Sequence, residues 1–181
     1  MYSINVEIKG ITPLLQNRFM QSDLEGKSKK KSGAEMDKET SIKLYLTPDQ
    51  KIYQPATHLV GCLINAAKSF QIRGKKRATY SKLFGSSINI VPDAIVHKIQ
   101  DWDEFVTTAV NPNTRGRMIV KRPQLNEWEL SFTIQVLDDS IAEDVVKEIL
   151  DYGGRYVGIG DWRPDKKGKF GQFMVTKFKR E

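Results

Sequence analysis

The sequence has few of the residues that build disulfides, metal centres and membrane spans. Its 181 residues include one cysteine, Cys62, and two histidines, His58 and His97. One cysteine cannot close an internal disulfide, and no Cys/His cluster has the spacing of a zinc site. No apolar run approaches the length of a membrane span, and the first residues lack the apolar segment of a secretory signal. We therefore expect no metal or cofactor, no membrane partner and a cytoplasmic location.

Acidic residues are also in the minority. Lys and Arg number 29 against 22 Asp and Glu, which gives a net charge of +7 and an isoelectric point near 9.4. This excess favours polyanionic partners, with nucleic acid first and an anionic membrane surface second, beside the simpler interpretation of a merely basic soluble protein. The length suits one ordinary domain, so we expect a single domain over residues 1–181.

Alternating apolar residues predict strands at both ends of the chain and in its second half. The segments are Tyr2–Lys9, Trp128–Val136 and Phe173–Phe178, with a short strand over Ser87–Val91 before the second of them. Apolar residues on every second position are typical of a strand with one buried face. Trp128–Val136 has the strongest pattern of the four.

Two helices are predicted from apolar residues at helical spacing. Thr57 is a suitable N-cap for the first, and Gly61 inside this helix costs about 1 kcal/mol relative to alanine, so we expect Gly61 to pack closely against a neighbour. Ser140 and Glu143 form a capping box that predicts the start of the second helix. The resulting order, βαββαβ, predicts an α+β, ferredoxin-like fold with two helices on one face of a four-stranded antiparallel sheet. No strand has the aromatic pattern of RNP motifs.

Two insertions interrupt this plan. Residues 21–41 contain almost no apolar side chains and several lysines, so we expect a mobile basic insertion that cannot offset its ordering entropy alone. Residues 103–122 predict an inserted hairpin around the turn sequence NPNTRGR. Arg115, Arg117 and Arg122 lie on or near its tip, and contact with a partner is the expected purpose of such a projection.

The glycine loop, defined here as Gly153–Phe173, combines six glycines with cationic and aromatic residues. Glycine lets the backbone approach a phosphate, and main-chain N–H groups in glycine turns can bind anions. Trp162 and Phe170 offer flat faces for stacking on bases. A long solvated turn before the last strand is the alternative. The cations of this loop are Arg155, Arg163, Lys166, Lys167 and Lys169.

The basic segment, defined here as Lys68–Lys82, is the densest run of one charge sign in the chain. It contains six cations and no acid, with Tyr80 among them. Such a block predicts contact with nucleic acid, whereas a lysine-rich loop after a helix C-terminus is the alternative. Outside these clusters, Arg18 stands beside Phe19 after the first strand. The candidates in the basic segment are Lys68, Arg73, Lys75, Lys76, Arg77 and Tyr80.

Two short motifs carry a family resemblance. The run YQPATHLVGCLINAA is similar to an element with the pattern Pro-Gly-Ser-Ser-Leu-x-Gly, through Pro55, Thr57, Leu59 and Gly61. The run VGIGDWRPDKKGKFG is similar to a glycine-rich loop between a second helix and a last strand. Both belong to the RAMP (repeat-associated mysterious protein) superfamily, and the chain most resembles the backbone subunits of CRISPR effector complexes, or a stand-alone or phage-encoded relative. The hairpin would occupy the place of that family's thumb.

The resemblance implies a protein that holds single-stranded RNA or DNA through the backbone with little sequence specificity. It also implies copies that assemble in rows along the strand. Because the cations would neutralise phosphates, binding should weaken as salt rises. We expect no enzymatic activity.

Two further functions stay open. Other members of the superfamily cut RNA without a metal, and a general acid or base would be required, for which His58 near the start of the first helix is the candidate. Some backbone subunits cut with an aspartate in the loop after the first strand, where this chain has Asp23 and Asp37. An assembly or scaffold subunit that binds no nucleic acid is the third possibility.

Overall fold

The computed structural model of the protein describes residues 1–19, 40–110 and 115–181. Within these ranges, antiparallel strands and three α-helices form an α+β structure. The strands are β1 (Tyr2–Gly10), β2 (Leu14–Leu15), β3 (Tyr53–Pro55), β4 (Ile88–Val91), β5 (Ala94–Val96), β6 (Asp103–Val110), β7 (Arg117–Leu125), β8 (Glu129–Val136) and β9 (Phe173–Arg180). The helices are α1 (Ala56–Ala66), α2 (Ser81–Ser87) and α3 (Glu143–Tyr152).

A four-stranded antiparallel sheet in the order β4-β8-β1-β9 lies at the centre of the fold. β1 pairs with β8 from Tyr2 opposite Val136 to Lys9 opposite Glu129. Because neighbouring residues of a strand face opposite sides, the apolar set of each strand lies on one face. The four predicted strands are confirmed, and their alternation is what sets this register.

Helices α1 and α3 cover the apolar face of the sheet. Leu59 and Leu63 of α1 and Val146 and Ile149 of α3 are buried in one cluster with the inward residues of the strands. Burial of this kind contributes about 1.5–3 kcal/mol for each large apolar side chain. The two predicted helices are therefore confirmed, although their termini differ from the sequence pattern.

Both predicted helix caps are wrong. α1 begins at Ala56, so Thr57 lies inside its first turn and makes no cap. α3 begins only at Glu143, and the N–H of Ser140 donates to the side chain of Asp138 at 2.8 Å outside the helix. In each case the chain enters the helix from a segment that other elements hold in place, so the local capping sequence does not decide the start.

The second sheet contains the inserted hairpin, in the order β2-β7-β6. β6 and β7 pair from Asp103 opposite Gln124 to Val110 opposite Arg117, which confirms a hairpin at this place. Its turn, residues 111–114, and most of the predicted mobile insertion, residues 20–39, lie outside the described residues, as do Asp23 and Asp37. No helix in the described ranges is long and apolar enough to cross a membrane.

Candidate nucleic-acid interface

Two adjoining pockets lie between the start of α1 and the glycine loop. Their volumes are about 130 and 170 Å³, and His58 and Gly160 line both. Arg163 borders the larger pocket from the loop, and Gly61 and Asn65 border it from α1. A Cβ atom on Gly61 would meet nothing within 4 Å, so the expectation of close packing there is wrong. The missing side chain leaves this pocket open instead.

The glycines of the glycine loop are required by tight packing of the loop. Gly158, Gly160 and Gly171 have φ angles of 69°, 80° and 70°, in the left-handed region that favours glycine. A Cβ atom on Gly168 would overlap the carbonyl oxygen of Trp162. The loop is thus a packed structure that holds its side chains in place.

Most main-chain N–H groups of the glycine loop donate to carbonyl oxygens of the protein. Six such bonds, 2.8–3.1 Å long, link Gly158 to Gly153, Ile159 to Gly171, Asp161 to Leu15, Gly168 to Arg163, Phe170 to Trp162 and Gly171 to Pro13. A donor already paired inside the protein gains little from a phosphate oxygen. These six N–H groups are therefore already used within the protein, which favours the charged side chains of the loop for contact with phosphate.

Two arginines are fixed at the rim of the pockets. Arg122 lies opposite Phe105 at the base of the hairpin, so its predicted place on or near the tip is wrong, because β7 runs on to Leu125. It donates from Nε to Asp161 Oδ2 at 2.9 Å. Arg163 donates to the Gly160 carbonyl oxygen at 3.1 Å and lies 3.4 Å from Asp165 Oδ2. The paired Arg122 is thus neutralised locally, while Arg163 keeps donors next to the larger pocket.

Three lysines of the glycine loop reach solvent. The side chains of Lys166, Lys167 and Lys169 are exposed, with Lys166 within 3.8 Å of Asp165. The Lys169 ammonium lies 5.7 Å from the ring centre of Phe170. An exposed pair of this kind contributes little stability, so these ammonium groups stay available to a polyanion.

The two aromatic candidates of the loop differ in exposure. Phe170 is 6% exposed, and its ring centre lies 5.1 Å from that of Phe105 in an edge-on contact. It therefore anchors the hairpin to the loop, and the prediction that it stacks on a base does not fit its burial. Trp162 is half-buried with its ring centre 6.0 Å from Phe105, so part of its surface stays accessible.

A directed chain of hydrogen bonds ends at His58. The main-chain N–H of Tyr45 donates to Gln16 Oε1 at 3.0 Å, which makes Nε2 of Gln16 a donor to the Tyr53 carbonyl oxygen and to Gln54 Oε1. Gln54 Nε2 must then donate to His58 Nδ1. Because the two main-chain groups have fixed roles, neither amide can be reversed, and the neutral imidazole carries its proton on Nε2.

The imidazole of His58 is held neutral by its surroundings. Partial burial lowers its pKa from the ordinary value, and the positive charge of Arg163 lowers the pKa further. A neutral ring with the proton on Nε2 is a hydrogen-bond donor at that atom. This side chain therefore offers the pockets one donor at neutral pH.

The cations of the basic segment lie on the surface. Its backbone forms a closed loop, in which Gln71 bridges Thr79 and the N–H of Tyr80 donates to the Phe70 carbonyl oxygen at 3.0 Å. Tyr80 is half-buried against the core and meets Phe84 edge-on at 6.3 Å. None of the six cations pairs with a carboxylate of the described residues. They are Lys68, Arg73, Lys75, Lys76, Arg77 and Lys82, and all are exposed.

The remaining candidates lie at separate places. Arg18 is exposed after β2, and its N–H donates to the Lys43 carbonyl oxygen. Arg115 and Arg117 are exposed at the outer end of the hairpin, and Arg155 is exposed directly after α3. The pockets thus bring together His58 and Arg163, with Arg122 nearby, but neither the hairpin tip nor the basic segment.

The outer face of the central sheet has a different character. Its charged residues pair with one another: Lys98 and Lys177 both reach Glu7, at 2.7 and 3.1 Å. Polar pairs such as Asn89 with Gln135 continue across the strands. Since its polar groups are satisfied internally, this face offers little to a nucleic acid.

The structure also shows surface residues that the sequence analysis missed. Tyr156 is 60% exposed beside Arg155 and stacks at a tilt on Tyr152. The i, i+4 spacing of the two tyrosines was the available signal.

Among the described residues no group of His, Cys, Asp or Glu side chains could hold a metal ion. His97 is buried, and its ring has no hydrogen-bond partner in the part of the chain that the structure describes. The burial lowers the pKa of His97 to about 4.

Comparison with known proteins gives a likeness of fold. No protein-family model matches the chain, and a search of the curated proteins found no match. A chain in the cryo-EM structure of the Type III-B Cmr-beta bound to cognate target RNA superposes over 99% of this chain with a TM-score of 0.57 and 16% sequence identity. This chain covers 60% of the length of that one. At such identity the likeness concerns the fold, which this protein shares with a chain of that RNA-bound assembly.

Proposed function

We propose that the protein binds single-stranded nucleic acid through the sugar-phosphate backbone. The observation that carries this proposal is the basic segment, whose six exposed cations have no carboxylate partner among the described residues. Uncompensated charge on one surface is what a polyanion binds, by releasing the counterions that its phosphates hold. The pockets at His58 and Arg163 add directed donors to this diffuse attraction.

The proposal includes the fold family. The strand order β4-β8-β1-β9, with α1 and α3 as the two crossovers, supports the proposal of a ferredoxin-like core. In this proposal the glycine loop, which lies between α3 and β9, corresponds to the glycine-rich loop of the RAMP superfamily. The likeness to a chain of the Cmr-beta assembly supports this relation and makes RNA the first ligand to test. We propose that copies of the chain line up along the strand, in a CRISPR or phage-encoded setting in the cytoplasm.

The binding test is a salt-dependent titration with labelled single-stranded RNA, single-stranded DNA and duplex. Replacing Arg163, Lys166 and Lys167 with alanine should weaken single-strand binding by roughly tenfold or more at low salt. A matched control removes the same charge from the outer sheet face, at Lys9, Lys177 and Lys179, and should change the affinity much less. Equal affinities of the two folded variants would remove the glycine loop from the site.

A metal-independent endoribonuclease is the second candidate, because His58 lines both pockets beside Arg163. Such a reaction needs a base for the attacking hydroxyl and an acid for the leaving oxygen. The hydrogen-bond chain from Gln16 places the proton of His58 on Nε2, which suits donation. The other histidine, His97, is buried. These observations favour binding, and labelled RNA incubated with wild type and His58→Ala tests the point: cleavage that needs His58 would establish the enzyme.

A further inference from the structure

An aromatic cluster lies beside the C-terminal half of α1. The rings of Tyr152 and Tyr156 have centres 4.7 Å apart with 43° between their planes, and Phe70 meets Tyr152 edge-on at 5.4 Å. The Ser69 hydroxyl donates to the Tyr152 hydroxyl at 3.2 Å. Tyr152 is thereby fixed, and Tyr156 rests on it with 60% of its surface exposed.

A single turn of π-helix, Gly153–Val157, places this cluster. A Cβ atom on Gly153 would lie 3.1 Å from the Cys62 sulfur and 3.5 Å from the Ala66 Cβ, so the turn lies directly against α1. Wide turns of this kind are rare and occur frequently at functional sites. Here the turn presents Tyr156 and the exposed Arg155 on consecutive positions.

A polar stripe on α1 connects the larger pocket with this cluster. Thr57, Gly61 and Asn65 line the pocket and recur every fourth residue, so they lie on one face of the helix. Lys68 follows one turn later, and its ammonium donates to Asn65 Oδ1 at 2.8 Å. The stripe therefore leads from Arg163 to Lys68, and the next residue, Ser69, touches Tyr152.

We propose that Tyr156 is a stacking platform for one base of a single-stranded nucleic acid whose backbone follows this stripe of α1. This inference rests on the proposed function. An aromatic ring already held by Tyr152 loses little freedom when a base stacks on it. Two exposed cations suit the adjoining phosphates: Arg155 precedes Tyr156 in the chain, and Lys68 precedes Ser69, which contacts Tyr152. Glu148 lies one helical turn before Tyr152, so repulsion directs phosphates away from α3 and towards the basic segment.

The test compares Tyr156→Ala with Tyr156→Phe, using a fluorescently labelled single-stranded oligonucleotide of mixed sequence. Loss of the ring should weaken binding about 5- to 100-fold, while Tyr156→Phe, which keeps the aromatic face, should bind like wild type. Because the ring is uncharged, the slope of affinity against salt should stay unchanged in both variants. An oligonucleotide containing 2-aminopurine should show quenching of the probe that Tyr156→Ala abolishes.

Unchanged affinity of Tyr156→Ala, with wild type binding normally, overturns the platform and leaves the proposed function intact. Wild type that binds no oligonucleotide overturns both. A loss of self-association in Tyr156→Ala, seen by sedimentation without nucleic acid and with no change in oligonucleotide affinity, would assign the ring to contact between copies and also overturn the platform. Since Tyr156 is exposed, its substitution leaves the core intact, and circular dichroism checks this.

Discussion

The glycine loop and the basic segment have similar compositions and opposite physical characters. Both combine glycine with several cations. In the glycine loop the glycines allow backbone contacts that no other residue could make, and a carboxylate lies beside Arg163. In the basic segment Gly74 has open space around it, and the cations have no partner among the described carboxylates. The glycine loop therefore fixes a few hydrogen-bond donors in position. The basic segment supplies positive charges that form no ion pair with the described carboxylates.

The largest effect is expected when one glycine in each region is replaced with alanine and the stabilities of the two variants are compared. Gly171→Ala places a Cβ atom on the Ile159 carbonyl oxygen at a positive φ, and should lower the free energy of unfolding by about 3 kcal/mol or more. Gly74→Ala has a similar φ, 79°, but free space, and should cost only about 1–2 kcal/mol. Urea denaturation of both variants measures the difference. Equal losses would mean that the glycine loop is no more rigid than the basic segment.

The second test removes positive charge from the basic segment. Replacing Arg73, Lys75, Lys76 and Arg77 with alanine should lower the slope of log affinity against log salt by up to about 3, because each lost single-strand phosphate contact contributes about 0.7. Each substitution should change the free energy of unfolding by no more than about 0.5 kcal/mol, since these side chains are exposed. A large fall in stability with an unchanged slope would reverse the roles assigned to the two regions.

The third test asks whether nucleic acid uses the open space that the missing side chain of Gly61 leaves in the larger pocket. Gly61→Ala should raise the free energy of unfolding by up to about 1 kcal/mol, because alanine is the better helix former and the new methyl group meets no atom. The same methyl group narrows the larger pocket, so oligonucleotide affinity should fall while stability rises. Thermal unfolding and a binding titration on one preparation give both values. A rise in both stability and oligonucleotide affinity would show that the bound nucleic acid does not pass through the larger pocket.

The smallest expected effect concerns the charge of His58. Its lowered pKa keeps the ring neutral at pH 7, and protonation as the pH falls adds a positive charge beside Arg163. Binding to a phosphate chain should therefore tighten by less than about tenfold on acidification, since one charge near the surface contributes about 1 kcal/mol. His58→Gln should show no such increase. Affinity that is flat with pH in the wild type would place the phosphates away from His58.

Sequence patterns were sufficient to predict the strands of the central sheet and insufficient to predict where the two helices begin. The alternation in β1 and β8 predicts both strands and their buried faces, because the period of a strand is visible in the chain itself. The caps Thr57 and Ser140 were wrong since the segments before each helix are held by tertiary contacts. A capping motif reports local preference, which such contacts override.

The candidate site shows the same limit. Exposed cations such as Lys75 follow directly from a run without acids or apolar residues. The burial of Phe170 does not, because its partner Phe105 comes from the hairpin far along the chain. Tyr156 was missed for the converse reason: its spacing from Tyr152 is visible in the chain, but the π-helical turn in which it lies is not.

The hydrogen-bond chain from Tyr45 to His58 gives the pocket a permanent polarity. Its direction is set at Gln16, which accepts from one peptide N–H and donates to one peptide C=O, so neither rotation of Gln16 nor rotation of Gln54 can reverse it. A visiting group that itself only donates, such as an ammonium, finds no acceptor on the imidazole, whereas a phosphoryl or carbonyl oxygen does find a proton. Peptide groups of the main chain thus make the pocket selective for ligands that accept a hydrogen bond. Replacing Gln16 or Gln54 with glutamate would remove this selectivity while His58 itself is unchanged.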